Sequence, residues 1–350
     1  MNRQQTRQTT ISGRDYTEQT DGRIVFSREF LLARGTCCGS DCLNCPFEFE
    51  KQLPKHQVVQ DLRPVISMVP SWTETLISAG ANVVGRTRFC IHPNDRVRKI
   101  KVLGGTKNVS PDFKEAMSFL AEKSRPSHER PLVILDKEEN PKDFEALFQN
   151  EGCEVFASEV TSLHSFSREL KNLSALFPNL SSVACNLNLY ADRVEKLLQH
   201  NASTNGGPFG FGEAFIADKR SSSSIDLKEL SRNIQRGEAQ IAYVIWKSPW
   251  MCVGPGTYIE SVLQWLFNRP STSHLTTSLL WTGSRGKGKY PEFDLEEVPE
   301  NTVLVYSSEP YPFGKEVSLL RPGILVDGER ISWFGIRSIR YLEDIVETCR

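Results

Sequence analysis

Short runs of branched and aromatic residues recur along this chain, each followed by a turn residue or a stretch with helical spacing. VISMVP, PLVILD, CEVFAS, IAYVIW, TVLVYS and GILVDG are such runs. Runs of this length that are apolar at nearly every position suit strands buried on both faces. Their alternation with helical segments restricts the chain to an α/β fold built on parallel sheet.

The alternation falls into two blocks. In the first, a strand at VISMVP precedes a helix at SWTETLISAG, where Ser71 and Glu74 form a capping box and Gly80 a stop. ANVVGRTRF is a strand, and Phe113, Ala116, Met117 and Leu120 space a helix over 111–123. PLVILD, KDFEALFQNEG and CEVFAS continue as strand, helix and strand. Two helices follow, over 162–177 and 180–200, the second unbroken by Gly or Pro. The Gly-, Ser- and Asn-rich stretch around 203–224 marks a loop or insertion, followed by a short helix at 225–236. The second block then runs IAYVIW (strand), TYIESVLQWLF (helix), TVLVYSS and GILVDG (strands) and RYLEDIVETC (terminal helix).

The expected organisation is a flexible N-terminus (1–21), a Cys-rich module (22–50), a linker (51–63) and a first α/β lobe (64–179). A connecting helix (180–202), a Gly/Ser-rich insertion and junction (203–238) and a second α/β lobe (239–350) complete it. With 42 Lys and Arg against 43 Asp and Glu, the formal net charge of −1 argues against a general nucleic-acid binder or a polybasic membrane-surface protein. No apolar stretch is long enough for a membrane-spanning helix, so no membrane insertion is expected. The polar first thirty residues lack a secretory pattern and predict a cytoplasmic protein, in which cysteines stay reduced or hold metal.

Four of the nine cysteines crowd between Cys37 and Cys45. The two-residue gap of Cys42 and Cys45 lets both thiolates reach one metal, and Cys38 stands a turn earlier. Adjacent Cys37 and Cys38 point apart, so one is spare or each serves a different iron of a cluster. Zinc or an iron–sulfur cluster suits this density; a redox dithiol at Cys42 and Cys45, or inert thiols in a loop, are the alternatives. Residues 22–47 resemble a short uncharacterised Cys-rich family, termed oxidoreductase-like, with a CC-G-x-x-C-x-x-CP run. Its activity is not established, so little function transfers.

The strings VISMVPSWTETLISAG, VVGRTRFCIHP, VLGGTKN, DKEEN, IWKSPWMCVGPGTYIESVL, YPEFDLEEVP, SSEPYPF and VDGERISWFGIR carry a second resemblance. Residues 65 to about 347 resemble the helical-backbone metal receptors, class III periplasmic-binding-protein-like proteins that include cobalamin and siderophore binders. More narrowly, they resemble a signal-less, cytosolic branch labelled as ABC-transporter substrate-binding proteins. The resemblance implies two three-layer lobes joined by one rigid helix, with the ligand in the cleft between them. Two departures are the insertion at 203–224 and the GPG turn at 254–256.

In such lobes the loops after strand ends face the ligand crevice. Ser71, Trp72 and Glu74 stand at one of them, as an anion-receiving helix start or a capping box alone. Cys90 and His92 alternate on an extended segment, as a metal-binding pair or as a buried thiol and a hydrogen-bonded imidazole. Lys137, Glu138, Glu139 and Asn140 follow PLVILD, offering carboxylates to the cleft or capping a solvated helix start. Trp246, Trp250, Met251 and Tyr258 could wall a flat macrocycle, or pack in the core. Glu309, Tyr311 and Phe313, then Asp327, Glu329 and Trp333, follow two further strands.

No GxSxG elbow, phosphate loop or HExxH occurs; GSRGKGK at 283–289 lacks phosphate-loop spacing and RVRKIK at 96–101 suits a solvated face. The first expectation is a non-catalytic binding protein for a corrinoid-, siderophore- or other metal-chelate-like small molecule. The alternatives are a redox enzyme using the Cys module beside a cleft-bound substrate, and a regulatory protein read out through lobe closure.

Overall fold

The computed structural model describes residues 12–19, 24–27, 30–31, 63–124, 130–178, 181–203, 210–211, 215–216, 227–268, 278–283, 288–315, 321 and 323–348. The chain forms two compact units, one of residues 1–60 with 180–182 and one of 61–179 with 183–350. In the first unit, β1 (Tyr16–Glu18) and β2 (Ile24–Phe26) pair antiparallel. Phe26 stacks on Phe30 with ring centroids 5.0 Å apart. Cys37, Cys38, Cys42 and Cys45 lie outside the described residues, as do 51–62 of the expected linker and most of the insertion at 203–224.

The second unit holds both α/β lobes. The first lobe is a five-stranded parallel sheet in the order β5-β4-β3-β6-β7. Its strands are β3 (Pro64–Ser67), β4 (Asn82–Thr87), β5 (Lys101–Gly104), β6 (Leu132–Asp136) and β7 (Glu154–Ser158). Alternate residues of a strand face opposite sides, and here both sides are buried. Val65, Leu132 and Ile134 face one core; Ile66, Val133 and Leu135 face the other. That double burial is why these strands are continuously apolar. α1 (Pro70–Ala79) and α5 (Leu163–Ser174) cover one face. α3 (Phe113–Ser124) and α4 (Asp143–Asn150) cover the other. A short α2 (Asn94–Val97) leads into β5.

Two local expectations are corrected. α1 begins at Pro70 with Val69 at its N-cap and no side-chain cap, so Ser71 and Glu74 form no capping box. Proline at the first helical position supplies a preset φ and needs no N–H partner, which moves the start one residue upstream. The RVRKIK stretch at 96–101 is not a single solvated face, because Val97 is buried and Lys101 opens the strand β5.

α6 (Ser182–Ser203) is the expected connecting helix. Val183, Leu187, Tyr190, Ala191, Val194 and Leu197 recur at helical spacing and enter one core. The helix is tied to both lobes. Asn186 Nδ2 donates to Ala79 O at 3.1 Å, and Trp265 Nε1 donates to Leu197 O at 3.0 Å. Arg193 and Glu343 form a further ion pair.

The second lobe is a five-stranded mixed sheet in the order β10-β9-β11-β12-β8. β9 (Gln240–Trp246), β11 (Thr302–Ser307) and β12 (Ile324–Val326) run parallel. Two short edge strands, β8 (Phe215–Ile216) and β10 (Met251–Cys252), are antiparallel, and β8 falls inside the stretch expected to be a loop. α7 (Leu227–Arg236), α8 (Tyr258–Leu266), α9 (Gly328–Ile331) and α10 (Ile336–Thr348) complete the lobe. Helices α8 and α10 cover one face, while aromatic loop residues such as Phe293 and Phe313 cover the other.

The lobes share one core. Trp72 and Phe166 of the first pack against Phe334 of the second at 5.4 and 5.6 Å, and Tyr258 joins them at 6.3 Å from Phe166. Gly335 lets the backbones approach: its φ is +120°, and a Cβ there would lie 2.8 Å from Thr75 Oγ1 and 2.9 Å from Ser71 O. Thr75 Oγ1 accepts the Ile336 N–H at 3.1 Å across this junction. Among the described residues no helix is long and apolar enough to cross a membrane.

Candidate functional site

Two polar ties join the loops after β4 and β6 of the first lobe to the second lobe. His92, in the loop after β4, places Nε2 3.1 Å from Glu329 Oε2 beyond the end of β12. Glu138, after β6, pairs with Lys289 of the second lobe. The loop carrying Lys289 is pinned from below: Gly254 N–H donates to Lys289 O at 2.7 Å. A Cβ at 254 would stand 2.3 Å from Gly288 O, so the GPG turn leaves the room that this loop needs.

Around His92 the charges form a network. Glu329 also meets Arg337 at 3.2 Å, and Arg337 donates two hydrogen bonds of 3.1 Å to Glu74. The hydrogen bond from His92, reinforced by Arg337, holds the Glu329 carboxyl below its ordinary value despite burial. Burial pushes the Glu309 carboxyl up, and the charges of Glu329 and Asp327 add to the effect. Asp327 caps α9 by accepting from Glu329 N at 3.0 Å and pairs with Arg330 at 3.2 Å.

The acids at the end of β6 and just beyond it divide their work. Asp136 accepts from Ser158 Oγ at 2.7 Å, Glu138 N at 3.0 Å and Val160 N at 3.3 Å, yet burial pushes its carboxyl up. Asn140 stitches three strand ends together. Its Nδ2 donates to Met68 O and Thr106 O, and its Oδ1 accepts from Asp136 N. Lys137 turns outward to Glu159 at 3.1 Å. Glu139 is pushed up to about 7 by burial, with Asp136 and Glu138 adding repulsion.

The aromatic residues separate into wall and core. Trp246, 39% exposed, sets its ring edge-on to Tyr311 at 5.5 Å. Tyr311 abuts Phe313 at 4.6 Å, and Trp250 stacks on Phe313 at 6.0 Å. Trp72 and Tyr258 instead lie in the shared core. Trp72 Nε1 donates to Ser158 Oγ at 2.8 Å and Tyr258 Oη to Ser338 Oγ at 2.8 Å. Met251 is half-buried at the edge of the sheet, and Trp333 is half-buried just before the Phe334 junction.

Cys90 and His92 have separate partners. Cys90 is buried, with Sγ 3.0 Å from Thr73 Oγ1 and 3.1 Å from Thr87 Oγ1, and burial pushes its thiol up. Among the described residues no three His, Cys, Asp or Glu side chains are placed to hold a metal ion. Ser71 is buried in the first turn of α1, where its carbonyl accepts from Thr75 Oγ1 at 2.8 Å.

Sequence reasoning did not single out Phe89 and Ile91, which are 51% and 48% exposed on the loop carrying His92. They occupy the other phase of the alternation that drew attention to Cys90 and His92, which is the signal that could have found them. Arg337, Lys289 and Tyr290 were also passed over. Arg337 lies in the first turn of α10, and Lys289 in a Gly-rich loop with no periodicity.

Residues 5–51 match the model of a family of unknown function, DUF5522. No curated protein matches the chain. Among solved structures, the periplasmic vitamin B12 binding protein BtuF of Vibrio cholerae is 14% identical, with a TM-score of 0.51 over 81% of this chain and 95% of that one. The periplasmic heme-binding protein RhuT from Roseiflexus sp. RS-1, in apo form, is 13% identical, with a TM-score of 0.50 over 81% of this chain and 97% of that one. At this identity the likeness is one of fold: the chain has the two-lobe α/β fold of periplasmic binding proteins.

Proposed function

We propose that the chain is a binding protein that holds a metal chelate, of corrinoid, heme or siderophore type, in the cleft between its lobes. The observation that carries this reading is the exposed Trp246 ring, set edge-on to half-buried Tyr311 at the C-terminal end of the second sheet, on the lobe that supplies Glu309, Glu329 and Arg337. An exposed aromatic ring beside polar groups at such a strand end suits a flat, partly polar ligand. Vitamin B12 and heme binding by the two proteins of like fold supports the ligand class. The test is titration of the full chain with cyanocobalamin, hemin and a neutral ferric trihydroxamate, followed by tryptophan fluorescence and equilibrium dialysis. Saturable micromolar or tighter binding of at least one is expected. Binding of none of the three overturns the reading.

We further propose that Cys42 and Cys45, with Cys37, Cys38 or both, hold zinc or an iron–sulfur cluster; the support is their spacing in the sequence. Elemental analysis and an absorption spectrum of anaerobically purified protein, with and without Cys42→Ser and Cys45→Ser, test it. Metal lost in the double variant is expected, and unchanged metal content rejects it. Iron with sulfide would favour the redox-enzyme alternative, and zinc a structural module.

A further inference from the structure

Four charged groups run in a chain from lobe to lobe with alternating signs. Glu74 of α1 meets Arg337 of α10, Arg337 meets Glu329 of α9, and Glu329 meets His92 in the loop after β4. The two ends of the chain belong to the first lobe and the two middle members to the second. Carboxylates and guanidinium groups ordinarily keep their charge near neutral pH, whereas an imidazole changes it between about pH 5 and 8.

Both sides of the His92 contact are held in place. Arg86 donates to Val97 O at 2.7 Å, Thr87 O at 2.9 Å and Cys90 O at 3.2 Å, which pins the loop that carries His92. Glu329 stands in the first turn of α9, where the N-cap Asp327 accepts its N–H at 3.0 Å. Both carboxylate oxygens of Glu329 reach His92 Nε2, at 3.1 and 3.2 Å, and the two side chains are only 29% and 18% exposed. These are two positioned groups, so a change of charge on one is felt by the other.

The surrounding charges decide what loss of the proton does. On the second lobe Glu329 has Glu309 and Asp327 as company, set against Arg337, Arg330 and Lys315. On the first, Glu74 is bound to Arg337, Arg96 donates to Ile77 O, and Asp95 is exposed. With His92 charged, Glu329 has a cation from each lobe. With His92 neutral, Arg337 is left to balance both Glu329 and Glu74, and the tie between the lobes loses its Coulomb attraction. The second tie, Lys289 to Glu138, is of a kind that ordinarily keeps both charges throughout that window.

We propose that His92 is a proton-operated latch between the lobes: as imidazolium it holds α9 of the second lobe to the first through Glu329, and on losing its proton it lets that side of the junction loosen. The proposal rests on the reading of the space between the lobes as a ligand site, whose loading and release the latch governs.

The Ile336 N–H is the reporter, because its bond to Thr75 Oγ1 crosses between the lobes beside the Glu74–Arg337 pair. The Val133 N–H, in the interior strand β6, reports opening of the whole fold. Hydrogen exchange of the full chain, without ligand, is followed by NMR at about pH 5.5 and about pH 8, on either side of the imidazole range, with each protection factor corrected for intrinsic exchange. The ratio of Ile336 to Val133 protection is expected to fall about five- to tenfold between the two. His92→Gln and Glu329→Gln should show the low ratio at both. Glu309→Gln and Glu139→Gln should keep the fall, although burial pushes both of those carboxyls up. A constant ratio, or a fall that survives His92→Gln, overturns the latch. The dissociation rate of cyanocobalamin or the neutral ferric trihydroxamate, whichever binds, should rise with pH in the wild type and not in His92→Gln; a rate indifferent to pH also overturns it. If the ratio falls and no chelate binds, the ligand reading fails and the latch stands. If a chelate binds and the ratio is constant, the latch fails and the ligand reading stands.

Discussion

Glu74 of the first lobe and Arg337 of the second face each other with two parallel hydrogen bonds of 3.1 Å, and Arg337 turns a third nitrogen toward Glu329. A bidentate pair fixes orientation as well as distance, so this contact sets how the two strand-end faces meet. Both side chains are largely shielded from solvent, with relative exposures of 13% and 27%. Glu74→Gln is expected to cost about 1–3 kcal/mol in chemical denaturation. Arg337→Ala should cost more, since it also leaves Glu329 with His92 alone. A double-mutant cycle in which the two losses simply add would show that the pair contributes no coupling.

Gly335→Ala places a Cβ against Thr75 Oγ1 and Ser71 O at a φ of +120°. The expected loss is about 2–3 kcal/mol of unfolding free energy, from strain and from the broken junction. A shift of under about 0.5 kcal/mol would mean that the lobes can part slightly at no cost.

Stability should depend on pH in two opposite senses. Glu139 rises from 4.5 to about 7 in the folded chain, so the folded state binds this proton more tightly and stability falls as pH climbs through that window. Asp136, also raised, acts in the same direction. Glu329 is lowered, so its contribution is present above 4.5 and is lost as pH drops through its folded value. Urea titrations at a series of pH values should show Glu139→Gln flattening the decline on the neutral side and Glu329→Gln flattening the acid limb. An identical profile for wild type and Glu139→Gln would contradict the enclosure of that carboxyl.

The two tryptophans Trp72 and Trp246 should respond oppositely. Trp72→Ala removes a wholly buried ring and its bond to Ser158, and is expected to cost about 3–5 kcal/mol. Trp246→Ala removes a part-exposed ring and should cost about 1 kcal/mol, while weakening chelate binding roughly tenfold. Thermal melts and dialysis on the same preparations separate the effects. Equal destabilisation by both would place Trp246 in the core.

The strands whose two faces are both buried were legible in the sequence, because continuous apolar runs leave little other choice. The connecting helix was legible too, from its length and its freedom from Gly and Pro. β5 was not: it begins at Lys101 and holds two buried residues, Leu103 and Gly104, so its charged start masks it. The edge strands β8 and β10 span two residues each, too short for any period. For the site, position after a strand end drew attention to Glu138, Glu309 and Glu329. The same signal cannot tell a wall residue from a core residue. Trp72 is buried because Phe334 arrives from 262 residues later, which no local pattern records.

The aromatic node of Trp72, Phe166, Tyr258 and Phe334 means that the two lobes are not interchangeable modules. A chain divided between them would leave each half with an oily, ring-lined scar, and the halves would have to find each other before either became soluble. A substitution tolerated at Phe334 would be negotiated with Trp72, so the lobes are bound to change as a pair, and grafting either one onto a foreign partner would mean rebuilding that seam first.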